Sequence, residues 1–542
     1  MPVVIVDGKE IEIPADRKMN AIEAAALAGV EIPHYCWHPG LSVVGSCRMC
    51  LIEMGNRNPE TGEISMLPKL FPACNTPAKD GLVIVTQSEK VQRARAMVEE
   101  DLLLRHPIDC PICDKAGECR LQDYHFAHGR EQRRADVRPF TSRKRDLGDV
   151  FLFVDRCVMC SRCVRFSREI SGTSELMISR RGANEEIDVL PDYPLNNKLS
   201  GNVVDLCPVG ALADKDFLYK QRVWFLKRRP GVCTGCATGC SIWVEQNQDR
   251  VWRIKPRENP FVNKWWICND GRYGYPHVHD PRRLRGVAAR GEEGPVPIDW
   301  KAFLSEVPEK LKAAGNAAVV LSPFLTVEEA YLLARWMRSL DANATVAVGP
   351  VPVEGEDETF PGGFVIAAEK CPNRRGVEAV ASYFQKGVVA WSQFLEQAAA
   401  GKFGAVWVAG GYPKPWLDET EAASLRKAAL LIVQDLFPTP ASAVADYVLA
   451  SAAFPEREGA YVNRGDRLQR VVRAIRPPAG NRPAAQVVWE LLGREGLYDA
   501  RAVLSEIAAE INYFAAAAGD IPETGLDLKV NMLADAGSGT HA

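Results

Sequence analysis

Residues 155–172 read DRCVMCSRCVRFSREISG, and a Cys-Pro pair follows at Cys207-Pro208. Cys157, Cys160 and Cys163 stand in the spacing C-x2-C-x2-C. Three thiolates from one tight loop hold three irons. A cube of iron and sulfide presents four corners, so the fourth ligand must come from elsewhere, and Cys207 supplies it. This run with a distant Cys-Pro is a [4Fe–4S] ligand pattern. A zinc site rarely uses C-x2-C-x2-C, which makes this the most specific motif in the chain.

Three further ligand sets lie on either side. Cys36, Cys47, Cys50 and Cys74 place an early Cys, a C-x2-C pair and a distant Cys in the order of plant-type [2Fe–2S] ferredoxins, with a longer first gap. The preceding sequence suits a ferredoxin-like domain. Val3–Val6 and Ile11–Ile13 flank Asp7-Gly8, a hairpin signal. A helix is expected from Met19 to Ala28, with Gly29 at its end, and the loop GSCRMC lets backbone amides approach the sulfides. His106, Cys110, Cys113 and Cys119 form H-x3-C-x2-C-x5-C just past an expected helix, Ser88–Arg105. We read His106 as the fourth ligand of a second [4Fe–4S] site. Neutral imidazole in place of thiolate removes one negative charge and is expected to tune the potential, as in Rieske centres. Cys233, Cys236, Cys240 and Cys268 form C-x2-C-x3-C-x27-C, with Gly231, Gly235 and Gly239 leaving room for the backbone around a third cube. A zinc ribbon is the plain alternative there.

These sets use fifteen cysteines and one histidine of a chain with 16 Cys and leave Cys371 as a small buried hydrophobe. Arg48, Lys115, Arg120, Arg156, Arg162 and Arg165 lie among the ligands. They either offset cluster charge or are solvated surface.

The chain has 542 residues, too many for one domain, and a formal net charge of −3 that gives no general basic field for nucleic acid. No apolar run approaches membrane-spanning length. The start, MPVVIVDGKEIEI, lacks a signal or transit layout, so a soluble cytosolic protein with reduced thiols is expected. No Ser/His/Asp or paired-carboxylate arrangement stands out.

After residue 290, β-branched runs alternate with helical stretches. Ala317–Leu321, Thr345–Val348, Ala405–Ala409 and Leu430–Val433 read as strands. Thr326 and Glu329 form a capping box for a helix to Leu340, and Asp418 caps another. This alternation implies a parallel, doubly wound sheet. Gly410-Gly411 ends a strand as a weak phosphate-loop signal or an ordinary turn. Gly355–Gly363 reads as a loop, the chain after Gly480 as helical, and the end from Ala534 as disordered.

The motif order resembles the family of the large iron–sulfur (G) subunit of bacterial NADH–quinone oxidoreductase, respiratory complex I, over residues 1 to about 480. The fourth motif, the α/β region and ADYVLASAAFPEREGAYVNRGDRLQR (Ala445–Arg470) also resemble molybdopterin oxidoreductases. The expected fold is therefore multidomain, α/β and α+β. It comprises a ferredoxin-like [2Fe–2S] β-grasp domain (1–82), a His/Cys [4Fe–4S] domain (83–130), a ferredoxin-like [4Fe–4S] domain (131–225) and a fourth-cluster [4Fe–4S] domain (226–290). A doubly wound α/β molybdopterin-oxidoreductase-like domain (291–480) and a C-terminal helical segment and tail (481–542) follow.

The resemblance implies an electron-transfer subunit of a proton-translocating NADH:quinone oxidoreductase, with no active site of its own. Electrons would enter from an NADH-oxidising flavin subunit. They would pass the clusters of Cys36, Cys157 and His106 in turn and leave to a ferredoxin-like subunit with two [4Fe–4S] clusters. The Cys233 cluster would lie off that path. The implied place is the cytoplasmic face of a bacterial inner membrane, among other peripheral-arm subunits, with membrane contact only through the complex and no nucleic acid. Molybdenum relatives usually carry Lys two residues after the last Cys of the fourth motif. Here that residue is Asp270, and no molybdopterin is expected. The α/β half then reads as a retired catalytic domain. The competing expectations are the catalytic or electron-transfer chain of an NAD-linked formate dehydrogenase or hydrogenase, and a structural zinc protein.

Overall fold

The computed structural model describes residues 1–137, 143–180, 182, 184–292 and 294–530. The stretch from Ala534, expected to be disordered, lies outside the described residues. The chain forms two compact units, Met1–Leu226 with Phe360–Gly363, and Lys227–Thr359 with the chain from Phe364.

The first unit begins with a five-stranded sheet in the order Lys9–Glu12, Val3–Val6, Leu82–Val85, Leu51–Arg57, Ile64–Pro72. Asp7 and Gly8 have φ of 47° and 84°. Positive φ at both central residues is the hairpin turn whose twist matches its strands. Helix Ala21–Leu27 starts after Asn20, which forms a capping box with Glu23. Its Ile22, Ala24 and Ala25 pack with Val4, Val6, Ile52 and Ile84 from the sheet to make a β-grasp core. Helix Glu89–Leu103, capped by Ser88, and helix Arg120–His128 follow. Strand Val150–Phe153 then pairs antiparallel with Leu212–Asp214. Between them lie helices Arg162–Glu169 and Asn202–Leu206.

The second unit opens with an antiparallel three-stranded sheet, Lys227–Val232, Ser241–Asn247 and Arg250–Pro256. Its main sheet has seven strands. Thr345–Val348, Ala317–Leu321, Ala405–Ala409, Leu430–Asp435 and Tyr447–Ala450 run parallel, and the hairpin Val287–Arg290/Pro295–Ile298 adds an antiparallel edge. Alternate side chains point to opposite faces of a strand. Val319, Trp407 and Ile432 thus enter one core, and Val320, Val406 and Leu431 the other. This is the doubly wound arrangement, with both faces buried. The capping boxes of Thr326 with Glu329 and Asp418 with Glu421 form as the sequence predicts.

Two details differ from the expected division. Strand Val287–Arg290 pairs with Tyr447–Ala450, so the region before residue 290 already enters the α/β sheet. Helices Ala484–Leu491 and Ala500–Glu510 place Val487, Val488, Val503 and Ile507 in that same core, so the chain after Gly480 completes it. Within Gly355–Gly363, Glu358–Thr359 pairs with Val365–Ile366.

Arg283 and Glu456 form a bidentate pair at 2.7 Å, each side chain 1% exposed. Glu456→Gln leaves the guanidinium short of its counter-charge in a dry site. We expect it to cost roughly 3–5 kcal/mol, read as a lower melting temperature for this unit.

Burial pushes the Glu328 carboxyl up to about 8. A carboxyl raised in the folded state contributes stability below its unfolded pKa and loses it as pH rises toward the folded value. Relative to Glu328→Gln, the native chain is therefore expected to lose stability between about pH 4.5 and pH 8. Parallel pH–melting curves for the two proteins would refute this.

Candidate metal centres

In the first set, Cys50 precedes strand Leu51–Arg57 and Cys74 follows its partner strand Ile64–Pro72. The register Leu51↔Pro72 brings the two thiols into contact, and the Ala73 amide donates to the Cys50 carbonyl at 3.0 Å. Cys36 and Cys47 make a second contacting pair. Gly45 and Arg48 take φ of 63° and 58°, which folds the loop around its cysteines. Arg48 itself is exposed.

In the second set, Cys110 and Cys113 flank a tight turn, and Cys119 stands at the start of helix Arg120–His128. His106 lies just beyond helix Glu89–Leu103 and is 8% exposed. Burial pushes its imidazole down to about 4, so the ring is neutral near pH 7. Its Nδ1 is buried without a hydrogen-bond partner among the described residues. A buried neutral imidazole with an unbonded nitrogen, four residues before Cys110, suits a metal ligand.

In the third set, Cys157 follows a turn after strand Val150–Phe153, Cys163 is in the first turn of helix Arg162–Glu169, and Cys207 ends helix Asn202–Leu206. Met159 and Ser161 take φ of 47° and 56°, which wraps the loop inward. All four cysteines line one small cavity, closed by Leu152 and Ile187. The Met159 amide points at Cys157 Sγ at 3.4 Å.

In the fourth set, the Cys233 amide donates to the Cys240 carbonyl at 2.8 Å, closing the loop. The Gly235 and Gly271 amides approach Cys233 Sγ and Cys268 Sγ at 3.4 and 3.3 Å. A Cβ at Gly271 would come within 2.9 Å of Cys233 Sγ, and Gly239 has φ of 62°. Gly231 plays no such part: it sits within strand Lys227–Val232, where a Cβ would make ordinary contact.

The cysteines of each set are therefore drawn together locally, and such donors suit iron–sulfur clusters, which would supply one-electron transfer when bound. Among the described residues no three His, Cys, Asp or Glu side chains close around one point as a single ion requires. Cluster ligands bind different irons and need not converge.

The basic residues divide. Arg162 donates to the Trp37 carbonyl at 2.5 Å and to the Leu206 carbonyl at 3.2 Å. Arg165 donates to the carbonyls of Ser42, Cys36 and Cys160. Both are buried and join the first set to the third. Arg156, also buried, pairs with Asp109 at 2.6 Å and donates to the Gly210 carbonyl, joining the second set to the third. Lys115 reaches the Val204 carbonyl. Arg120 is half exposed and pairs with Glu31. Sequence reasoning passed over two residues here. A Cβ at Gly210 would lie 2.2 Å from Cys113 Sγ, and the signal was a glycine three residues after Cys207. Arg222 donates to the carbonyls of Cys110, Pro111 and Cys113.

Gly410-Gly411 is an ordinary turn. Asp435 Oδ1 accepts from the Gly411 amide at 2.8 Å, so a protein carboxylate occupies the place of a phosphate. Cys371 is fully buried against Phe324 and Tyr412, and burial pushes its thiol up. A cavity of about 660 Å³ lies beside the fourth set, lined by Cys233, Asp270, Phe324, Lys370, Tyr412 and Trp416 among others. Glu354 and Lys414 on its wall pair with each other at 3.0 Å, and Asp270 adds a carboxylate.

His106→Cys adds one negative charge to the second site. The reduction potential of that cluster is expected to fall, read by redox-titrated EPR. An unmoved midpoint would exclude a tuning role for the imidazole.

Family models match this chain in five places. Residues 3–89 match the 2Fe-2S iron-sulfur cluster binding domain. Residues 95–134 match the NADH-ubiquinone oxidoreductase-G iron-sulfur binding region, and 150–213 the NADH-quinone oxidoreductase subunit 3 ferredoxin-like domain. Residues 226–280 match the molybdopterin oxidoreductase Fe4S4 domain, and 378–494 match molybdopterin oxidoreductase. The NADH-quinone oxidoreductase G subunit of Rickettsia felis is 34% identical over 346 residues, 62% of this chain and 49% of that one. The G subunit of Streptomyces coelicolor is 35% identical over 62% of this chain and 40% of its own. The mitochondrial NADH dehydrogenase [ubiquinone] iron-sulfur protein 1 of Solanum tuberosum is 37% identical over 57% and 41%. The chain spans about half the length or less of these relatives. It is thus a multidomain iron–sulfur protein similar to the G subunit of NADH-quinone oxidoreductase over 62% of its residues.

Proposed function

We propose that this chain is an electron-relay subunit of an NADH–quinone oxidoreductase, working in the peripheral arm of that complex. It carries one [2Fe–2S] cluster on Cys36, Cys47, Cys50 and Cys74. It carries [4Fe–4S] clusters on His106, Cys110, Cys113 and Cys119, on Cys157, Cys160, Cys163 and Cys207, and on Cys233, Cys236, Cys240 and Cys268, with no molybdopterin. One observation carries the order of transfer. Arg165 joins the Cys36 and Cys160 carbonyls, while Gly210, just after Cys207, abuts Cys113 Sγ. The sets thus adjoin in the sequence first, third, second. Electrons from an NADH-oxidising flavin subunit enter at the first and leave from the second to a ferredoxin-like subunit, with the fourth beside the route. The divisions at residues 82, 130 and 225 follow this cluster-by-cluster reading, while strand Val287–Arg290 and the helices after Gly480 go with the α/β domain. No described helix is long and apolar enough to cross a membrane, so membrane attachment is assigned to other subunits of a bacterial complex.

Metal analysis with EPR tests the cofactors. About fourteen irons per chain are expected, with one [2Fe–2S] and three [4Fe–4S] signals and no stoichiometric zinc or molybdenum. Molybdenum at one per chain would overturn the reading of the α/β half. Arg165→Met tests the linkage. Its loss leaves buried carbonyls of both loops unpaired, each costing about 1–3 kcal/mol. Signals of the first and third sets should weaken together, while the fourth stays intact. Weakening of one set alone would contradict a shared support.

A further inference from the structure

Asp270 is the second residue after Cys268 and lines the same cavity as Cys233. Its carboxylate thus shares a wall with the fourth ligand loop. A [4Fe–4S] cube gains a further negative charge on reduction, so an adjacent carboxylate alone would hold its potential low. The structure brings a cation to the same wall from about a hundred residues further along.

Segment 364–371 lies against the cluster loop. The Ala237 amide donates to the Glu369 carbonyl at 2.8 Å, and Thr238 Oγ1 donates to the Val365 carbonyl at 2.8 Å. Ala367 packs with Cys236 and Ala237. The segment is held from its other edge as well. The Lys370 amide donates to the Pro352 carbonyl at 2.7 Å, and the Glu354 amide to the Ala368 carbonyl at 2.9 Å. The backbone of Lys370 is therefore fixed on both sides. Its half-buried side chain lines the cavity with Cys233 and Asp270, and its Nζ donates to the Ala367 carbonyl at 2.9 Å. Its charge is opposite in sign to that of Asp270 on the same wall. Other carboxylates near Lys370 have their own partners: Glu354 pairs with Lys414, Asp357 with Arg464, and Glu369 with Arg374.

We propose that Lys370 is the positioning residue that sets the reduction potential of the fourth cluster, offsetting Asp270 and favouring the reduced state. The proposal rests on Cys233, Cys236, Cys240 and Cys268 holding a [4Fe–4S] cluster. It gives the α/β half a definite electrical role, because that half supplies the cation that the cluster motif lacks.

The test is an EPR redox titration of the full chain, with the fourth cluster's signal assigned as the one lost in Cys240→Ala. In Lys370→Gln the reduced-to-oxidised ratio at fixed potential should fall about tenfold, equivalent to 59 mV for one electron. Lys370→Met, which keeps the stem and drops the charge, should do the same, and Lys370→Arg should titrate like the native chain. The other three midpoints should not move. If either neutral variant keeps all its iron and titrates with the native protein, the proposal fails while the cluster assignment stands. If the native chain holds only about ten irons and Cys240→Ala removes no signal, the cluster assignment fails and the proposal with it.

Discussion

The guanidinium of Arg165 is the point on which the first unit depends. It lies inside the protein and donates to carbonyls from two ligand loops that are far apart in sequence. Arg162 does the same one turn earlier, between Trp37 and Leu206. Burying a cation is costly unless it is paired. Among the described residues neither arginine forms an ion pair with a carboxylate, so the charge is met by carbonyl dipoles and, for Arg165, by the Ser161 hydroxyl at 3.3 Å. Both lie among groups of thiols, and a cluster held by thiolates is anionic. Each needs the other: the arginines are tolerable next to negative clusters, and the clusters are easier to reduce next to buried cations. The same hydrogen bonds hold the loops in register, so electrostatics and geometry come from one pair of side chains.

Much of this was legible in the sequence. Ligand spacing is local chemistry, and C-x2-C-x2-C can be read without knowing the fold. Hairpin Asp7-Gly8, the Thr326 and Asp418 caps and the four parallel strands were legible because turn geometry, capping and β-branched runs are also local. The edge hairpin at Val287–Ile298 was not. Its residues neither alternate cleanly nor form an apolar run, and it exists because Tyr447–Ala450 offers it an edge. The roles of the basic residues were equally hidden. Arg162 and Arg120 look alike in sequence, yet one is buried and the other pairs with Glu31 at the surface. Only the path of Trp37 and Leu206 past helix Arg162–Glu169 separates them.

The α/β unit raises a different question, because parallel sheets of this kind bind ligands at the carboxyl ends of their strands. Here the Gly410-Gly411 turn is filled by the protein, while the loops after Ala317–Leu321, Thr345–Val348 and Ala405–Ala409 line the cavity of about 660 Å³. Asp435, last residue of its strand, sits in the Gly410-Gly411 turn and also accepts from Trp416 Nε1. Arg457 donates to the Phe324 and Ala452 carbonyls and pairs with Glu329 at 3.2 Å. Burial pushes Asp435 up to about 6, so a dry carboxyl stands where a ligand's anion would need free amides. A Cβ at Gly410 would strike that carboxyl, and one at Gly411 would strike Arg457, so the two glycines make room for protein side chains. To the cavity beside the fourth set the unit presents an aromatic wall of Tyr412 stacked on Trp416, the Glu354–Lys414 pair and Lys370. Lys370 is the point at which this unit can fix charge beside the Cys233 loop.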